Sequence, residues 1–339
     1  MPVRYWMITN RNQTNPKKAN NELGTDEADL TFWTADVAGV GKEAPAKLAE
    51  WDERERDDFR KELLKAAGRF PTVQEEDHED QKHVTLFVHG YNNSSRNALE
   101  RYSQICRTMF QPEDGLGLCV LFSWPSDGLK IGYYPDRADA RGTADELGSV
   151  LKELFDQQVT VQTKAMETGR SPCKAKVSII AHSMGNYLVQ KAMQHVWSQK
   201  NQPLLMSLVN QLLMVGADVD NDLFKGGEEI DHGDGDAIAN LTYRVTAFYT
   251  GKDATLGLSA GFKHFGKRRL GRSGLDRTTQ APDNVWDIDC TKFFEDISAG
   301  KAHSAYFDVE DTRKVMRQVL RGVDRKLLQA EFRLAGADS

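Results

Sequence analysis

The stretch Val177-Ser178-Ile179-Ile180-Ala181-His182-Ser183-Met184-Gly185-Asn186 constrains the fold of this chain more than any other. A β-branched apolar run leads directly into Ser183, and the segment from Tyr187 to Trp197 is suited to a helix. A strand that ends in a serine and turns at once into a helix holds the hydroxyl at the carboxyl edge of a parallel sheet. Ala181 and Gly185 flank the turn and are small, as they must be where strand and helix pass too closely for larger side chains. Ser183 is therefore the first catalytic candidate.

The rest of the chain suits such a sheet. It has 339 residues, 40% of them hydrophobic, enough for a large core. Short apolar runs alternate with helix-like segments, the pattern of an α/β protein with crossover helices. Val3–Thr9 and Leu30–Trp33 read as opening strands. Val84–His89, Cys119–Ser123, Val177–Ala181, Leu212–Gly216 and Tyr243–Thr250 read as more buried ones, and Val285–Cys290 can form the last. Arg96–Gln111 and Ala138–Gln157 carry apolar residues at helical spacing. Asp311–Ala330 reads as a closing amphipathic helix, with Val315, Met316, Val319, Leu320, Val323 and Leu327 on one side.

Two segments depart from the alternation. Lys42–Lys82 is dense in charge and reads as a solvated helix plus an acidic loop inserted before the third strand. Metal binding by His78 and its acidic neighbours is a weaker reading than a solvated charge run. Gly226–Asn240 is rich in Asp and Gly but lacks the spacing and terminal Glu of a calcium loop, so a mobile surface loop is expected. No internal repeat is visible.

A formal charge of −6, from 50 acidic and 44 basic side chains, argues against a protein that coats nucleic acid. Cys106, Cys119, Cys173 and Cys290 are far apart, and Cys119 lies in an apolar run, which suits free thiols in a reduced compartment. The amino terminus lacks the apolar core of a secretory signal, and no window is long and apolar enough to span a bilayer. A soluble, cytoplasmic protein without stable membrane insertion is the expectation.

A nucleophilic serine needs a base, an orienting acid and donors for an oxyanion. Val84–His89 runs into Gly90-Tyr91-Asn92-Asn93, where Gly90 permits close backbone approach and Tyr91 N–H would face the developing charge. Met184 N–H, next to the nucleophile at a helix start, would be the second donor. Of the eight histidines, His89 and His182 belong to the two turns. His83 precedes a strand, His195 lies on a helix, and His78 and His232 sit in polar loops. His264 and His303 remain, and His303 has the place of a base after the last strand and before the final helix. Asp253 and Asp218 each follow a strand and compete for the acid. Asp253 is preferred, because Asp218 in Ala-Asp-Val-Asp could instead bind loop amides.

Phe87-Val-His-Gly-Tyr-Asn-Asn93, Phe122-Ser-Trp-Pro-Ser126, Tyr134-Pro-Asp-Arg137 and Ala181-His-Ser-Met-Gly-Asn186 together resemble a bacterial family of uncharacterised, esterase/lipase-like α/β-hydrolases (DUF900-like). Asp253-Ala-Thr-Leu-Gly-Leu-Ser259, Arg269-Leu-Gly271 and His303 with its following aromatic extend the resemblance over about residues 84–320, together with the first strand ending in Thr9-Asn-Arg11. It implies a single α/β-hydrolase domain over residues 1–339, with a mostly parallel central sheet and helices on both faces. It also implies Ser183, Asp253 and His303 as nucleophile, acid and base, with Tyr91 and Met184 at the oxyanion. The charged insertion and the Gly/Asp-rich loop have no counterpart in it.

Lys263, Lys267, Arg268, Arg269 and Arg272 cluster after the proposed acid, where Arg269 or Arg272 could clamp an anionic substrate group or simply form a solvated loop. Trp124 could line an acyl pocket or pack in the core. No amphipathic lid stands out, so the expected partner is a small or medium acyl substrate, with no cofactor or metal required. Thioester or amide cleavage, acyl transfer and a catalytically silent binding module are the rival readings.

Overall fold

The computed structural model describes residues 2–16, 18, 20–70, 81–91, 93–112, 114–126, 133–168, 175–198, 207–225, 233–263, 266–278 and 280–334. The chain divides into two compact units, Met1–Val177 and Ser178–Ser339.

In the first unit the strands β1 (Pro2–Gln13), β2 (Leu23–Ala38), β3 (Asp52–Arg54), β4 (His83–Val88) and β5 (Gly117–Ser123) lie in the order β3-β2-β1-β5-β4. β2 runs antiparallel to β1 and β3, whereas β5 is parallel to β1 and β4. Tyr5-Trp6-Met7-Ile8 and Leu86-Phe87-Val88 are buried without alternation, as strands covered on both faces must be. The helices are α1 (Arg56–Ala67), α2 (Ser95–Ile105), α3 (Tyr133–Gly142) and α4 (Ala144–Thr168). Ser94 caps α2 by accepting from Asn97 N–H at 3.2 Å. A π-helical turn, Cys106–Phe110, continues it and buries Cys106, Met109 and Phe110.

The charge-dense insertion is more ordered than its composition suggests. Asp52–Arg54 pairs with β2 as an edge strand, and α1 buries Phe59, Leu63 and Ala67 on one face. Three apolar residues at four-residue spacing suffice to seat a helix whose other faces are charged. Residues 71–80, including His78, lie outside the described residues.

In the second unit, which begins at Ser178 within β6 (Lys176–His182), that strand pairs in sequence order with β7 (Val209–Val215), β8 (Thr242–Tyr249) and β9 (Val285–Asp289), all parallel. Parallel neighbours need crossovers, and helices supply them. α5 (Gly185–Ser198) and α6 (Gly233–Leu241) precede β7 and β8, while α7 (Ala254–Leu258) and α8 (Leu270–Ser273) precede β9. After β9 come α9 (Ala299–Ala302), α10 (Glu310–Arg321) and α11 (Arg325–Phe332).

Two segments differ from the expectation. The stretch expected as a loop over Gly226–Asn240 is helical from Gly233, because Ala237, Ile238 and Leu241 form a buried stripe; residues 226–232 lie outside the described residues. The closing helix is two helices, broken where Gly322 takes a left-handed φ of 84° and donates its N–H to the carbonyls of Gln318 and Val319. Asp324 then caps α11 by accepting from Lys326 N–H at 2.8 Å. The change of direction leaves Leu327 62% exposed instead of buried.

Cys106, Cys119 and Cys290 are buried free thiols, and Cys173 lies outside the described residues. No described helix is long and apolar enough to cross a membrane.

Candidate active site

Ser183 stands on the turn between β6 and α5 with a φ of 54°, one of only two non-glycine residues with positive φ among the described residues. That conformation costs an L-residue about 1–2 kcal/mol, so the surroundings must impose it. They do so through hydrogen bonds. Ser183 N–H donates to Val215 O at 3.0 Å, and Ser183 O accepts from Asp218 N–H at 3.2 Å and Asn186 N–H at 3.1 Å. The buried Asn186 side chain also donates to Ala181 O at 3.0 Å and Ser183 O at 3.1 Å. These contacts, which the sequence motif alone does not reveal, make Asn186 a lock on the turn.

His303 follows α9 and meets Ser183: Nε2 lies 2.8 Å from Oγ. Its other nitrogen, Nδ1, lies 2.7 Å from Asp253 Oδ2. Asp253 is fully buried at the start of α7, where its Oδ1 accepts from Leu256 N–H at 2.9 Å. An ionised carboxylate can only accept, so Nδ1 carries the proton and Nε2 is left to accept from the serine hydroxyl. Burial disfavours the His303 cation, but the Asp253 hydrogen bond and charge, aided by the Asp218 charge, outweigh it. The imidazole pKa is therefore raised above 6.5.

Residues 70–296 match the model of a family described as an α/β hydrolase of unknown function (DUF900). The chain belongs to this α/β-hydrolase family. The matched stretch contains Ser183 and Asp253, and His303 follows it. An uncharacterised protein of Nostoc sp. is 27% identical over 143 residues, 36% of this chain and 34% of its own length, so the match spans about a third of that relative. Among solved structures, an esterase from Pyrobaculum calidifontis aligns at 11% identity and a TM-score of 0.35, covering 80% of this chain and 92% of that one. A fungal esterase from Rhizomucor miehei aligns at 10% identity and a TM-score of 0.37, covering 96% and 86%.

In this α/β hydrolase the two turn histidines brace backbone. His182 Nε2–H donates to His303 O at 2.9 Å, and the two rings lie 5.0 Å apart, with Phe307 edge-on to His182. In the first unit His89 Nδ1–H donates to Gly90 O at 2.9 Å while Nε2 accepts from Trp124 N–H at 3.2 Å. Burial and the charge of Arg11 push the His89 pKa down to about 3, so this ring is neutral. Tyr91 is half-buried on the turn after β4, and Met184 is fully buried where α5 begins.

The expected substrate contacts look different. Trp124 is fully buried, stacked 5.3 Å from His89, and its Nε1–H donates to His89 O at 2.8 Å; it is packed core, not an open pocket wall. Arg269 is buried against Asp218, with Nε donating to Oδ1 at 2.8 Å, and it also pairs with Asp220. Arg272 Nη1 donates to the Asp253 carbonyl. Both arginines are thus turned onto the protein, because buried acidic and carbonyl groups nearby need donors. The alternative acid, Asp218, faces Arg269 and Ser259 Oγ, the latter at 3.1 Å. His264, the other base candidate, lies outside the described residues.

Proposed function

We propose that this chain is a serine hydrolase that cleaves a carboxylic ester through an acyl-enzyme. The observation that carries the reading is the continuous relay from Ser183 Oγ through His303, 2.8 Å on one side and 2.7 Å to Asp253 on the other. Ser183 Oγ attacks the ester carbonyl as Nε2 takes its proton, and the imidazolium is held by the buried Asp253 carboxylate. Collapse of the tetrahedral adduct breaks the bond to the leaving alcohol, to which His303 returns the proton. Water, deprotonated by the same Nε2, then attacks the acyl-enzyme and releases the carboxylic acid and free Ser183.

The oxyanion is assigned to Met184 N–H, at the residue just before α5 where backbone N–H groups lack an intrahelical acceptor, and to Tyr91 N–H. The Tyr91 assignment rests on the His-Gly-Tyr motif. A small or medium acyl group is the proposed substrate.

A series of p-nitrophenyl esters from acetate to palmitate tests this. Hydrolysis of the shorter esters by wild type and its loss in Ser183→Ala are expected. A folded wild-type protein that turns over no ester, or a sharp rate increase on emulsified long chains, would contradict it.

A further inference from the structure

The segment Arg269-Leu270-Gly271-Arg272 joins two loops that hold different members of the relay. On one side it zips against the loop after β7. Leu270 N–H donates to Val219 O and Gly271 N–H to Ala217 O, both at 2.9 Å, and Asn221 N–H returns to Arg268 O at 3.0 Å. The approach is so close that a Cβ on Gly271 would lie 2.2 Å from Ala217 N. The Arg269 side chain, 0% exposed, closes this contact with a fork onto the Asp218 carboxylate, the Asp218 carbonyl and Asp220. Asp218 N–H in turn donates to Ser183 O at 3.2 Å.

On the other side the same segment grips the loop after β8. Gly271 O accepts from Thr250 N–H at 3.1 Å and from Tyr306 O–H at 3.4 Å. Arg272 Nη1 donates to the carbonyl of Asp253, whose carboxylate holds His303. Releasing either arginine to a substrate would strip a charged donor from buried acceptors, leaving the Asp218 carboxylate with the Ser259 hydroxyl and the Asp253 carbonyl with Gly257 N–H.

We propose that Arg269 and Arg272 are positioning residues, a two-arginine clamp that fixes the Asp218 loop beneath Ser183 and the Asp253 loop beside His303. The inference rests on the serine-hydrolase reading. Arg269 serves the nucleophile turn through the Asp218 backbone, and Arg272 serves the acid through its own carbonyl. The guanidinium fork matters because Arg269 reaches three acceptors in fixed directions, which a lysine ammonium cannot match.

The test is the rate of covalent labelling by a fluorophosphonate as a function of pH, with thermal melts to establish folding. It compares wild type, Arg272→Gln, Arg272→Lys and Arg269→Lys. The half-buried Arg272 makes its glutamine variant the one best placed to fold. Folded Arg272→Gln is expected to label about tenfold more slowly or worse, the scale on which misplaced catalytic groups lose rate. Its acid limb should also move to lower pH, because a loosened Asp253 no longer supports the His303 cation as strongly. Arg272→Lys should recover part of both. A purely structural role would leave the limb in place. Normal wild-type labelling with unchanged rate and pH profile in folded Arg272→Gln overturns the clamp alone. No labelling of folded wild type overturns the nucleophile reading and the clamp's function with it.

Discussion

Asp253 Oδ2 and His303 Nδ1 lie 2.7 Å apart although the residues are separated by 50 positions in the chain. Asp253 does not depend on His303 for its orientation. Its other oxygen caps α7 through Leu256 N–H, and its carbonyl accepts from Arg272. The carboxylate is thus held by contacts that do not involve the imidazole, which is the preorganisation that the proposed relay requires.

Exchange of the two candidate acids separates their roles. Asp253→Asn removes the acceptor that fixes the His303 tautomer and should lower kcat by roughly 10⁴-fold, with the fold retained. Asp218→Asn leaves Arg269 buried against a neutral amide and should lower stability by about 3–5 kcal/mol, with a smaller loss of activity per folded molecule. Steady-state kinetics and chemical denaturation of both variants check this, and a larger kcat loss in Asp218→Asn would reverse the assignment.

The direction of the His303 shift fixes the pH dependence. Nε2 must be neutral to take the serine proton, so kcat should rise with pH along an acid limb centred above 6.5. In Asp253→Asn the limb of any residual activity should fall to lower pH. Stability runs the other way. The protonated imidazole contributes stability that is fully present below its unfolded value near 6.5 and is lost as pH rises through the higher folded value. A pH–rate profile and melts across the same range test both signs.

Backbone strain at Ser183 is measurable. Ser183→Ala and Ser183→Gly both lack Oγ, but only glycine accepts a φ of 54° without cost. Ser183→Gly should therefore be more stable than Ser183→Ala by about 1 kcal/mol in urea denaturation. Equal stabilities would mean the turn relaxes once Oγ is gone.

Gly271 offers a packing test. A methyl there would lie 2.2 Å from both Ala217 N and Gly216 C, which are backbone atoms of the β7 loop and cannot swing aside. Gly271→Ala should lower stability by about 3 kcal/mol or more, seen as a large fall in the denaturation midpoint.

What the sequence could reveal depended on how local each signal was. The β6 run into Ser183 is legible because strand, turn and helix are contiguous and each has its own composition. Chain order made Asp253 and His303 candidates, since the strands before them are strongly apolar. Arg269 and Arg272 were visible as charge but not as partners, because only folding brings them to Asp218 and to the Asp253 carbonyl. α1 is legible as a helix, but its buried face is obscured by charged residues that outnumber Phe59, Leu63 and Ala67. The break at Gly322 carried a local signal, a glycine followed by a capping Asp324, that the continuing apolar periodicity overshadowed. Trp124 could not be assigned from sequence, since an aromatic at a strand end suits a pocket wall and a core equally well.

The most direct test of the central claim is intact-protein and peptide mass spectrometry after exposure to a fluorophosphonate. A nucleophilic Ser183 predicts one adduct, on the peptide containing Ser183, absent from Ser183→Ala and strongly slowed in a His303→Ala variant. Folded wild-type protein that forms no adduct, or an adduct that persists in Ser183→Ala, would contradict it.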